Sequence, residues 1–271
     1  MSERLVDAAR LIGEKDDFDA MPLGGGDLSE IWHLRFPSGR EAVVKIGGQP
    51  QIEAAMLESL AGTGVTVPQV LGVAADLLVL SYFPPARTDW AALGAAMARL
   101  HATPQPGRYG WDADYAFGTV PIENGWDDDW RRFWREKRLR PFLGGLPREH
   151  AARVHHVMER IDTLLPEAPR AVLLHGDLWS GNVVYTPDPA GGTRAALIDP
   201  ACFVGDASAD FAILTLFASP PPAFWEAYGP LPSGYERSIL AYRLWPALVH
   251  CRLFGATYLP LLDRCLDAIS L

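Results

Sequence analysis

The stretch that most constrains this chain is His175-Gly176-Asp177-Leu178-Trp179-Ser180-Gly181-Asn182. It lies between the apolar runs Val172-Leu173-Leu174 and Ala195-Ala196-Leu197-Ile198, the second followed by Asp199-Pro200. Short apolar runs bounded by Gly, Pro and Asp read as buried strands flanking a polar loop. Ordering His, Asp and Asn beside buried strands costs free energy unless those groups find partners. Such a loop can cap its own backbone, the common use of Asp and Asn in turns. The spacing allows a second use.

H-x-D with Asn five residues after the Asp, and a further Asp on the next strand, is the catalytic-loop pattern of phosphoryl-transfer enzymes. In that pattern Asp177 accepts the proton of an attacking hydroxyl. Asn182 offers an amide oxygen and Asp199 a carboxylate, both hard ligands suited to Mg²⁺ that also bridges ATP phosphates.

Upstream, Gly24-Gly25-Gly26 precede a strand holding Ile31, Leu34 and Phe36, a Pro37-Ser38-Gly39 turn, and a second strand, Ala42-Val43-Val44-Lys45-Ile46. This is a glycine turn between strands, not the strand–glycine–helix order of a Rossmann or Walker motif. Backbone N–H groups freed of side chains can approach phosphates closely, although a glycine triplet alone is as readily a flexible turn. Lys45 in an apolar strand needs an anion unless it snorkels at the strand end. Gln51–Ala61 reads as a helix with Ile52, Met56, Leu57 and Leu60 at helical spacing. Glu53 is its best partner for Lys45, with Glu58 the fallback. Val70–Val73 and Leu77–Leu80 read as the last strands of a small sheet. The chain then crosses at 81–85, around Tyr82, to a second lobe.

From Trp90 the pattern is helical, with Leu93, Met97 and Leu100 on one stripe, His101 at the end and Pro104 barring continuation. Residues 106–128 read as irregular and aromatic, an ordered loop of a length usually tied to function. Helices are expected from Asp129 to Arg140, from Glu149 to Leu165, over 209–217, over Ser238–Gly255 and over Leu259–Ile269. The helix at 209–217 is nearly all apolar and therefore buried, so Asp210 must be paired or cap its N-terminus. Asp206 is expected to hold the catalytic loop. His101 and His250 read as structural histidines.

Composition sets limits. The 271 residues are 49% hydrophobic and 21% charged, ordinary for a globular protein with a sizeable core. A net charge of −9 argues against nucleic-acid or anionic-membrane partners. Three cysteines fit a reduced, cytoplasmic setting better than a disulfide framework. No stretch reaches membrane-spanning length, and Met-Ser-Glu-Arg-Leu lacks a signal-peptide apolar run.

Taken together, Gly24-Gly25-Gly26, Lys45, Glu53, the HGDLWSGN loop and Ile198-Asp199-Pro200-Ala201 resemble the aminoglycoside-phosphotransferase-like branch of the kinase fold. Within it, Gly205-Asp206 with Ala209-Asp210-Phe211-Ala212, Asn124-Gly125-Trp126, and Val249-His250 with Leu253-Phe254-Gly255 are similar to the fructosamine/ketosamine-3-kinase family. The likeness runs over essentially the whole chain. It implies an α+β, protein-kinase-like bilobal fold. Residues 1–82 would form a small, mainly antiparallel-sheet N-lobe and 83–271 a larger, mainly helical C-lobe.

It also implies ATP- and Mg²⁺-dependent phosphorylation of the sugar 3-hydroxyl of small-molecule or protein-linked ketosamines, by a cytoplasmic monomer or weak dimer. On this chain Asp177 becomes the base, and Asn182 and Asp199 the metal ligands. Gly24, Gly25, Gly26, Lys45, Glu53 and Tyr82 meet the nucleotide, and Trp179, Asn124 and Trp126 the sugar substrate. Trp179 stands two residues after the base, where protein-serine kinases carry lysine, and an indole face there suits a sugar or cationic amine. Its other reading is packing beneath the loop.

Two departures accompany the likeness. Asp27 stands where some relatives place a cysteine, so no disulfide switch is expected, and Ser81 stands where many have an acidic residue. The same residues would also serve a kinase of another small hydroxyl, such as an aminoglycoside, choline or another sugar. A pseudokinase that only binds nucleotide is the remaining alternative, and intact Lys45, Asp177, Asn182 and Asp199 speak against it.

Overall fold

A computed structural model describes residues 3–24 and 30–270. Helix α1 (Glu3–Leu11) precedes strands β1 (Asp19–Pro22), β2 (Glu30–Arg35) and β3 (Glu41–Ile46). Helix α2 (Pro50–Gly62), β4 (Val70–Val73) and β5 (Leu77–Ser81) follow. The strands form one antiparallel sheet of five in the order β1-β2-β3-β5-β4.

Side-chain alternation along β3 decides where its lysine goes. Ala42, Val44 and Ile46 face a core shared with Leu5, Ala8 and Ala9 of α1. Val43 and Lys45 therefore point to the opposite face, where Ala54 and Leu57 of α2 pack on Leu78 and Leu80 of β5. Pro50 opens α2 at a position where its missing N–H is no loss. The other side of α2 sends Met56 and Leu60 into the core of the rest of the molecule.

The larger, mainly helical part begins with α3 (Trp90–Ala102), capped by the Asp89 carboxylate accepting from Ala92 N at 3.0 Å. Residues 106–128, expected to be irregular, instead hold β6 (Tyr109–Trp111), β7 (Tyr115–Phe117), β8 (Val120–Ile122) and β9 (Gly125–Asp127). These strands are three residues each, too short for alternation to reveal. Strands β7 and β8 pair as a separate hairpin.

Helix α4 (Trp130–Phe133) continues as a π-helical turn over Trp134–Leu139 and a 3₁₀ turn over Arg140–Gly145, so the expected single helix changes winding along its length. The expected 149–165 helix divides at Arg160 into α5 (Arg148–Glu159) and α6 (Ile161–Leu164).

Strand β10 (Val172–Leu174) leads into the catalytic loop. Strands β11 (Val183–Pro187) and β12 (Thr193–Leu197) form a hairpin after it, and β13 (Phe203–Gly205) returns to pair with β10. The two apolar runs that bracket the loop in sequence thus pair with β13 and β11, not with each other. The sheet order β10-β13-β6-β9 ties the catalytic loop to the 106–128 segment.

Helices α7 (Ser208–Phe217), α8 (Pro222–Tyr228), α9 (Tyr235–Tyr242), α10 (Leu244–Phe254) and α11 (Leu259–Ser270) complete the fold. The expected 238–255 helix breaks at Arg243. Pro246 then sits in the first turn of α10, where a proline is tolerated. Trp130, Trp134, Tyr242 and Trp245 fill the centre of this core. No helix among the described residues is long and apolar enough to cross a membrane.

Candidate active site

The catalytic loop is anchored from below. Asp210, fully buried in the first turn of α7, accepts from His175 N at 2.9 Å and Gly176 N at 2.8 Å. It also meets His101 Nε2 at 3.1 Å. Asp210 is therefore the residue that holds the loop. Asp206, expected in that role, accepts from Tyr242 Oη at 2.7 Å and Ser208 N at 3.0 Å, tying α7 to the helical core. His101 has the structural part expected of it, between Asp210 and Tyr228.

Gly176 is required by geometry. Its φ is +80°, and a Cβ there would lie 1.9 Å from the Ala201 carbonyl oxygen. His175 donates from Nε2 to Ile198 O at 2.9 Å and accepts at Nδ1 from Asp177 N at 3.3 Å. The ring is neutral in this arrangement, and burial lowers its pKa. One imidazole thus joins the loop to the backbone just before Asp199.

The reactive groups converge above this base. Asn182 Nδ2 donates to Asp177 O at 2.9 Å and to Asp177 Oδ2 at 2.8 Å, which fixes the carboxylate and turns the amide oxygen the other way. Burial pushes the Asp177 carboxyl up to about 7, against the hydrogen bond from Asn182, and Asp199 and Asp210 add to the rise. Lys45 Nζ lies 2.5 Å from Glu53 Oε1 and 2.8 Å from Asp199 Oδ1. Burial pushes the lysine pKa down, but the two carboxylates outweigh it and hold the ammonium charged. Asp199 is the one described non-glycine residue with a clearly positive φ, 52°, a conformation Asp tolerates better than most residues and one that recurs at functional sites.

These groups line a single cleft of about 1160 Å³. That is at the upper end for a small-molecule site and leaves room for a nucleotide beside a second substrate. The cleft brings together Lys45, Glu53, Asp177, Trp179, Asn182 and Asp199. Trp179 is 41% exposed, with its ring against Gly181, where a Cβ would come within 2.1–2.4 Å of the indole. It faces the cleft and is not packed beneath the loop.

Three expected contacts do not arise in this arrangement. Asn124 is 3% exposed, and its amide binds Arg138 Nη2 and Ala113 O. Trp126 donates to Asp112. Neither residue lines the cleft; they brace the 106–128 strands, Asn124 by holding the buried guanidinium of Arg138. The Tyr82 ring stacks on His33 at 3.9 Å and is likewise not a cleft-lining group. Gly24 lies at the end of the described segment, and Gly25, Gly26 and Asp27 fall outside the described residues.

Sequence reasoning missed one wall of the cleft. Tyr115 and Phe117 of β7 line it, as do Phe217, His250, Phe254 and Tyr258. His250 is half-buried on the cleft wall, not in the core, and donates from Nδ1 to Pro246 O at 2.8 Å. Its spacing with Phe254 and Tyr258, four residues each, was the available signal.

Oxygen donors from Asn182 and Asp199 suit Mg²⁺. Among the described residues no group of three or more His, Cys, Asp and Glu could hold a metal alone.

Comparison with known proteins agrees with this geometry. The fructosamine kinase family profile matches residues 10–270. A probable ketoamine kinase of Thermus thermophilus is 34% identical over 273 residues, covering 96% of this chain and 97% of its own length. A Thermobifida fusca structure assigned as a fructosamine-3-kinase superposes with a TM-score of 0.87 at 26% identity, covering 97% of each chain. An amicoumacin kinase solved with AMP-PNP shares the fold at a TM-score of 0.66 and 16% identity, over 99% of this chain and 93% of that one.

Proposed function

We propose, from the premise that this chain belongs to the fructosamine kinase family, that it transfers the γ-phosphoryl group of ATP to a sugar hydroxyl of a ketosamine. The observation that carries this is the meeting of Asp177, Asn182, Asp199 and the Lys45–Glu53 pair around one cleft. Residues 1–82 and 83–271 act as the two lobes on either side of it.

Asp177, held by Asn182, takes the proton of the acceptor hydroxyl, and a carboxyl near neutrality suits that task. The hydroxyl oxygen bonds to the γ-phosphorus as the bond to the β-phosphate oxygen breaks, and ADP leaves. Lys45, oriented by Glu53, neutralises charge on the nucleotide phosphates. Asn182 and Asp199 would hold Mg²⁺, which supplies charge neutralisation across the phosphates when bound. Trp179 presents its indole face to the sugar or its ammonium nitrogen.

The acceptor is the 3-hydroxyl of a small or protein-linked ketosamine. The phosphorylated adduct then breaks down and frees the amine. The protein works in the cytoplasm as a monomer or weak dimer.

The test is ADP release with Mg·ATP on ribulosyl-lysine, fructosyl-lysine and an aminoglycoside. Turnover is expected on a ketosamine and should fall about 10²–10⁴-fold in Asp177→Ala, the usual contribution of a general base, while nucleotide binding persists. Turnover confined to the aminoglycoside would overturn the substrate, and unimpaired turnover in the variant would overturn the base.

A further inference from the structure

The cleft has two unlike halves. One carries Lys45, Glu53, Asp177 and Asp199. The other is a row of rings, Phe217–His250 at 4.8 Å between centroids, His250–Tyr258 at 5.0 Å, His250–Phe254 at 5.7 Å and Phe254–Tyr258 at 5.3 Å. The exposed Phe and Trp side chains among the described residues are Trp179, Phe217 and Phe254, at 41%, 40% and 40%, and all three line this cleft. Large rings left open to water in one place mark a binding surface more often than chance exposure.

The charges of the cleft are as informative. Among the described residues Lys45 is its only lysine or arginine, and that ammonium is held by Glu53 and Asp199. Burial also keeps His250 toward its neutral form. A carboxylate brought against these rings would lose water without gaining a cation, and it would share the cleft with three acidic side chains. An ammonium nitrogen beside the ring faces gains instead.

We propose that this aromatic wall receives the substituent on the ketosamine nitrogen, and that it selects substituents that are apolar or aromatic next to the nitrogen over those that carry a carboxylate there. The inference rests on the ketosamine reading above. A ketosamine whose hydroxyl is at Asp177 must send its amine substituent elsewhere in the same cleft. The rings on α7, α10 and the turn that follows it form an apolar surface within that cleft.

The experiment compares kcat/KM for the ribulosyl adducts of benzylamine and glycine, read by ADP release. The intact protein is expected to favour the benzylamine adduct by about tenfold or more, the scale of an apolar contact in a specificity pocket. Phe217→Ala combined with Phe254→Ala should bring that ratio toward one. Both side chains are surface-exposed, so their removal opens no buried cavity. Leu253→Lys, which places a cation in the cleft lining, should raise the glycine adduct relative to the benzylamine adduct severalfold.

Turnover of both adducts with equal kcat/KM, a preference for glycine, or a ratio unmoved by the three substitutions would overturn the inference and leave the ketosamine reading standing. Turnover of neither adduct, with Mg·ATP still bound and the aminoglycoside phosphorylated, would remove the ketosamine reading and this inference with it.

Discussion

Asp210→Ala tests the anchoring of the catalytic loop. The carboxylate is fully buried and satisfies His175 N, Gly176 N and His101 Nε2 at 2.9, 2.8 and 3.1 Å. Alanine leaves two backbone N–H groups and an imidazole nitrogen without their acceptor. Each such loss costs about 1–3 kcal/mol, and the losses overlap because the strand can shift, so a total of about 3–5 kcal/mol is expected. For a chain of this length that corresponds to a fall in Tm of about 5–9 °C.

The same change frees the backbone two residues before Asp177, and a misplacement of about 1 Å at a reacting group costs about 10²-fold in rate. Urea unfolding gives the stability term, and ADP release at saturating Mg·ATP gives the catalytic one. Asp210→Asn keeps an amide oxygen for one N–H and should fall between alanine and the parent in both. If Asp210→Ala stays within 1 kcal/mol of the parent and keeps its kcat, the loop is held by something other than this carboxylate, and the reasoning fails.

Two further perturbations probe neighbouring parts. Lys45→Met should lower turnover by about 10²–10³-fold, the scale of one lost electrostatic stabiliser in a closed site, with the fold retained by circular dichroism; a loss under threefold would mean that the Glu53–Lys45–Asp199 chain is only a structural bridge. His175 is buried and neutral, so its folded pKa lies below its unfolded value near 6.5. The unfolded chain then binds a proton that the folded chain refuses, and stability falls as pH drops below about 6.5, by up to about 1.4 kcal/mol per pH unit from this group. Urea midpoints between pH 6.5 and 5.5 should therefore change less steeply in His175→Gln than in the parent, and equal slopes would contradict the assignment.

What could be read from the sequence divides along physical lines. Lys45 with Glu53, and Asp177 with Asn182 and Asp199, were legible because their residue types and spacing admit few other uses, and the geometry brings them within hydrogen-bond reach. Four strands of the five-stranded sheet, and α2, followed from alternation and helical spacing, whereas β1 was not read. The strands β6 to β9 did not follow, since three residues cannot display a period.

The loop-holding role expected of Asp206 falls to Asp210, whose need of a partner was expected. Both precede the same apolar run, and only the tertiary position of β10 decides which carboxylate reaches His175 N. Asn124 and Trp126 were assigned to the sugar substrate by the family resemblance alone. Their partners Arg138 and Asp112 arrive through a buried guanidinium and a strand pairing that local pattern does not encode. His250 read as structural, and Phe217 and Phe254 fell within apolar helices read as part of the core, while Tyr258 drew no reading; their place on the cleft wall is a property of the tertiary fold and not of the helices.

Helix α2 belongs to two bodies at once. Its Ala54 and Leu57 pack under the sheet, whereas Met56 and Leu60 are part of the helical core, where Cys202 N also meets Met56 Sδ at 3.3 Å. Just beyond its end, Leu197 N donates to Thr66 O at 2.9 Å, stitching the strand before Asp199 to the same connection. Glu53 and Asp199 are thus mounted on one frame, while Lys45 rides on β3. Any rocking of the sheet on that frame stretches both of the lysine's ionic links together. The lysine then works as a latch whose two catches sit on the same side, engaged or released as one.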